Sequence, residues 1–97
     1  MFEETANGQG RLSGTLDMSS SGSLLATLMA RIMRAPLQLD LSGINSADSS
    51  AIALLLACRR AAEQSDHALL LQNWPARLSE LVELYALREL FSSPQGE

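Results

Sequence analysis

The feature that most constrains this chain is a strand pattern, a helix pattern and a second strand pattern in immediate succession. Leu37, Leu39 and Leu41 alternate with Gln38, Asp40 and Ser42, the period of a strand with one buried face. Asn45 to Asp48 reads as a turn, and a helix is expected from about Ser49 to Ser65. Ala68 to Leu71 is then a short continuous apolar run, consistent with a buried strand. Strand, helix and strand joined by short connections imply parallel pairing through a right-handed crossover. The helix must therefore pack on a sheet face, and the chain is expected to form an α/β layer structure.

The flanking segments extend the pattern. Asn7 to Asp17 is punctuated by Gly8, Gly10 and Gly14 and reads as a turn followed by a strand around Arg11 to Leu16. The cluster Ser19-Ser20-Ser21 with Gly22 and Ser23 reads as a loop and helix cap. From Leu24 onward Leu24, Leu25, Leu28, Met29 and Ile32 share one side of a helix, with Thr27, Arg31 and Arg34 on the other, until Pro36 ends it. Asn73-Trp74-Pro75 supplies a cap and an early-helix proline. The last helix carries Leu78, Leu81, Val82 and Tyr85 on one face, with Ser79, Glu80 and Glu83 opposite. The expected order is β-(β)-α-β-α-β-α, the bracketed strand being optional.

Charge and cysteine usage exclude several classes of function. All 7 basic residues are arginines, against 11 acidic ones, for a net charge of −4 in 97 residues. No basic cluster exists to hold nucleic acid or anionic lipid headgroups. The single cysteine, Cys58, rules out an internal disulfide and fits a reducing compartment. Met1-Phe2-Glu3-Glu4 is acidic where a secretory signal carries positive charge. The longest apolar stretch, Ala51 to Cys58, falls far short of the about 20 residues that span a bilayer. No direct membrane insertion is expected, and any membrane link must come through a partner.

No catalytic constellation is visible. Cys58 falls on the core side of its helix, and His67 is the single histidine, with no ligand or nucleophile near it in sequence. Trp74 is expected to plug the last helix onto the body, and Met29 and Met33 to serve as ordinary core or edge. No glycine-rich phosphate loop is present. The chain is accordingly expected to be no enzyme and to use no metal or cofactor. Asp48-Ser49-Ser50, at a helix start, has a sufficient explanation as a cap, which stabilises a helix by about 1 kcal/mol. Along that helix, steps of about 100° place Leu54, Leu55, Cys58, Ala61 and Ala62 on a core face. Ser49, Ile52, Leu56, Arg59, Arg60 and Glu63 fall opposite. Ile52 and Leu56 ringed by Arg59, Arg60 and Glu63 read as a small binding face.

The stretch Leu37-Gln-Leu-Asp-Leu-Ser-Gly-Ile-Asn-Ser-Ala-Asp-Ser-Ser-Ala-Ile-Ala-Leu-Leu-Leu56 resembles the signature of STAS domains. In that family a strand ending in Asp-Leu-Ser precedes a loop and a helix that starts with Asp-Ser/Thr-Ser/Gly. Ser13-Gly14-Thr15-Leu16-Asp17 resembles the family's strand-end pattern Gly-Glu-Leu-Asp, and Leu84-Tyr85-Ala86-Leu87-Arg88-Glu89-Leu90-Phe91 resembles its C-terminal helix and tail. The resemblance runs from about residue 10 to residue 91. It implies a single STAS domain across residues 1–97, with a small, mostly parallel sheet packed with about three to four helices.

Two branches of the family are relevant. Ala53-Leu54-Leu55-Leu56, Leu84-Tyr85-Ala86-Leu87 and the short N-terminal part look more like the MlaB branch, small cytoplasmic subunits of phospholipid ABC transporters. That branch implies the transporter's ATPase as partner, a cytoplasmic location peripheral to the inner membrane, and a role in outer-membrane lipid asymmetry. The other branch is the anti-sigma factor antagonists, whose partner is a serine kinase. It implies that Ser49 is a phospho-acceptor, where phosphate meets helix N-terminal amides but also the Asp48 carboxylate. Ala51 stands where the family often has glycine, which argues against close kinase docking there. In either branch the implied partner surface is Asp48, Ser49, Ser50, Ile52, Leu56 and Arg60 with the loop Gly43 to Ala47.

Overall fold

A hairpin opens the chain. In the computed structural model, which describes residues 1–85, β1 (Phe2–Ala6) and β2 (Gln9–Leu16) pair antiparallel. Gly8 makes the turn at φ +79°, a backbone conformation that glycine adopts without steric cost. Then follow α1 (Met18–Arg34), β3 (Leu37–Ala47), α2 (Ser49–Ser65), β4 (Leu69–Gln72) and α3 (Ala76–Leu84). Among the described residues the sheet order is β1-β2-β3-β4, with β2–β3 and β3–β4 parallel. Both crossovers step the same way along the sheet, so their common right-handedness puts α1 and α2 side by side on one face.

Burial agrees with that layering. Leu37, Leu39 and Leu41 are buried beneath the helices together with Leu12 and Leu16 of β2. Gln38 and Ser42 of β3 and Arg11 of β2 are exposed on the opposite face. Leu28 and Ile32 of α1, Leu55 and Cys58 of α2, and Leu78 of α3 close the core from the helix side.

Several elements differ from the sequence expectation, each for a local reason. α1 begins at Met18, so the serine cluster lies inside its first turns instead of forming a loop. The Asp17 carboxylate accepts the Ser19 and Ser20 amides, and the Ser20 hydroxyl accepts the Asp17 amide. This reciprocal capping satisfies first-turn donors that have no intrahelical partner. Arg31, expected on the solvent side of α1, is only 6% exposed. Its guanidinium donates to Glu4 at 3.0 Å and to the carbonyls of Ala35 and Pro36 at 3.0 and 3.3 Å. The strand that carries Glu4 supplies the counter-charge for this buried arginine, beside the helix end that favours a cation.

β3 does not stop for a turn at Asn45 to Asp48. It pairs with β2 as far as Leu16 opposite Ala47, with register shifts at Arg11/Ser13 and Gly14/Thr15. These shifts absorb the extra β3 residues that break the simple alternation. Gly43 lies so close to β2 that a Cβ there would stand 2.7 Å from the Leu12 carbonyl oxygen. Before α3, Pro75 is the N-cap residue instead of an early-helix one. Asn73 adopts φ 58° and donates to the Asp40 carboxylate at 3.2 Å. Tyr85 caps the end of α3 and is exposed, so it does not share the buried face of Leu78, Leu81 and Val82.

Candidate partner-docking site

The parallel pairing of β2 with β3 brings two helix starts together. Leu16 and Ala47 are partners at the carboxyl ends of their strands, and each is followed by one aspartate N-cap, Asp17 and Asp48. The Asp48 amide donates to the Leu16 carbonyl at 3.2 Å, joining the two turns. Asp48 accepts the Ser50 amide at 2.8 Å and also the Ser50 hydroxyl. That hydroxyl lies 3.4 Å from the Ser21 hydroxyl of α1. Hydrogen bonds to Ser19 and Ser20, the Ser19 hydroxyl first among them, hold the Asp17 carboxyl below its ordinary range.

Around this polar seam lies an apolar groove of about 260 Å³ between α1 and α2, lined by Met18, Ser21, Gly22, Leu25, Ser50, Ala53 and Leu54. Met18 is 83% exposed at its rim. Sequence reasoning singled out one of these residues, Ser50, as part of a site. The signal for the rest is the Asp17 cap, which starts α1 early enough to bring Met18, Gly22 and Leu25 beside α2.

The residues expected to form the partner surface separate into two groups. Asp48, Ser49 and Arg60 are exposed and Ser50 is partly so. Among the described residues the Ser49 hydroxyl makes no hydrogen bond. Leu56 is half-buried and packs against the core. Ile52 corrects the expectation, because it is only 4% exposed and belongs to the core. α2 is flanked by α1 on one side and α3 on the other, so its buried arc is wider than that of a helix resting on a sheet alone. Ala53, one position on, takes the exposed place. Arg59 is partly buried and lies 3.8 Å from Glu63 one turn away. The expected loop Gly43 to Ala47 is strand, with Asn45 and Ser46 exposed and Ile44 and Ala47 buried.

The remaining chemistry-bearing side chains lie elsewhere. Cys58 is fully buried, and desolvation pushes its thiol up to about 12. His67 is half-buried, with Nδ1 2.8 Å from the Ile32 carbonyl oxygen at the end of α1. Trp74 is partly buried against the core. The Asp40 carboxyl is held low chiefly by the Ser42 amide, on the open sheet face. Among the described residues no cluster of three or more His, Cys, Asp or Glu could hold a metal, and no helix is long and apolar enough to cross a membrane.

The structure is a one-sided α/β sandwich that carries the Asp48-Ser49-Ser50 helix start at its surface, beside the apolar groove between α1 and α2. Residues 3–92 match the family described as "Mlab, STAS domain", and the chain belongs to the STAS-domain family. Among solved structures it is similar to a chain of the Acinetobacter MlaFEDB complex in its ATP-bound Vtrans2 conformation. The TM-score is 0.75 at 23% identity, over 86% of this chain and 90% of that one. The anti-sigma factor antagonist SpoIIAA in its unphosphorylated form gives a TM-score of 0.69 at 20% identity, over 90% and 80% of the two chains. An anti-sigma factor antagonist from Mycobacterium paratuberculosis gives 0.68 at 21% identity, over 95% and 80%. These likenesses establish the expected STAS-like fold. No curated protein sequence matches significantly. The motif expected over Leu84 to Phe91 lies outside the described residues from Ala86 onward.

Proposed function

We propose that this protein is a non-catalytic subunit that docks on the cytoplasmic ATPase of an Mla-type phospholipid ABC transporter. In this role it supports the assembly or activity of a complex that maintains outer-membrane lipid asymmetry. The observation that carries the reading is the match of residues 3–92 to a STAS family described as Mlab. The likeness to a chain of the MlaFEDB complex supports it. Its location is then cytoplasmic and peripheral to the inner membrane, through the partner.

The docking surface is the start of α2 with the adjoining groove: Asp48, Ser49, Ser50, Ala53, Leu56 and Arg60, with Met18 and Leu25 of α1. The caps hold both helix starts rigid before contact, so little conformational entropy is lost there on binding. The groove supplies apolar area to desolvate, and the serines and Arg60 form the polar rim that interfaces of this kind carry. Affinity purification from the native cell tests the reading. A stoichiometric ABC ATPase is the expected companion.

A second reading, an anti-sigma factor antagonist switched by phosphorylation, is favoured by one feature, the exposed Ser49 hydroxyl at the first helical position of α2. A phosphate there would gain helix N-terminal amides but meet Asp48. The first arginine on the same helix, Arg59, is about 15 Å further along the axis. Recovery of a serine kinase in place of the ATPase, with phosphate on Ser49, would establish this second reading and overturn the first.

A further inference from the structure

We draw no further inference here: the strongest candidate, the apolar groove between the N-terminal halves of α1 and α2, belongs to the docking site already described, and nothing in the structure shows what else covers it.

Discussion

Replacing Ile52 by alanine distinguishes two phases of α2 by the sign of the effect. On a solvent-facing position the change would stabilise the domain slightly, by about 0.4 kcal/mol, because alanine is the better helix former. In the structure Ile52 is 4% exposed and packs in the core. Three buried carbons are lost, at about 0.8 kcal/mol each, or about 2.4 kcal/mol of transfer free energy. A residual cavity adds to this, although a position at the edge of the buried arc can partly collapse, so a total of about 2–3 kcal/mol is expected. For a domain of this size each kcal/mol shifts the thermal midpoint by about 4–8 °C, so the variant should melt roughly 10–20 °C lower. Thermal and urea unfolding followed by far-UV circular dichroism measures this on the isolated domain. A midpoint that is unchanged or raised would refute the burial of Ile52 and the helical phase built on it.

Three further outcomes follow from the same geometry. Ala53→Asp should leave the free domain folded, at a cost of about 0.7 kcal/mol from helix propensity, while a charge placed in the groove should weaken capture of the partner at least tenfold in a binding titration; unchanged binding would remove the groove from the docking surface. Cys58, with its thiol raised to about 12, should resist iodoacetamide in the native protein and react once urea unfolds it; rapid native alkylation, read by mass spectrometry, would contradict its burial. Because the Asp17 carboxyl is lowered in the folded state by its hydrogen bonds to Ser19 and Ser20, its contribution is present above the unfolded carboxylate range and is lost as pH falls through the folded value; Asp17→Ala should therefore reduce the acid-side slope of stability against pH, and an unchanged slope would show that the cap makes no such contribution.

What the sequence by itself determined are the features written in local periodicity and capping chemistry. The bounds of α2, from Ser49 to Ser65, are those its cap and periodic apolar residues indicate. Leu54, Leu55, Cys58, Ala61 and Ala62 are all buried on the face their 100° spacing defines. The parallel β3-α2-β4 unit follows from element order and chain handedness, which need no knowledge of distant contacts. The exposed Asp48-Ser49 start of α2 was legible for the same reason.

Tertiary structure alone decided the rest, because it depends on what lies beside an element and not on its own pattern. Phe2-Glu3-Glu4-Thr5-Ala6 has no clean alternation and becomes a strand through pairing with β2. That pairing in turn places Glu4 against Arg31 and allows a charged residue to be buried. β3 outlasts its alternation because β2 continues to supply backbone partners past two register shifts. Helical spacing gives the direction of Ile52 around the axis of α2 but not how far neighbouring helices reach around that axis. The groove of Met18, Leu25 and Ala53 needs two helices to exist at all. Periodicity is a property of one segment, whereas burial at its margins is a property of the neighbours that the fold brings to it.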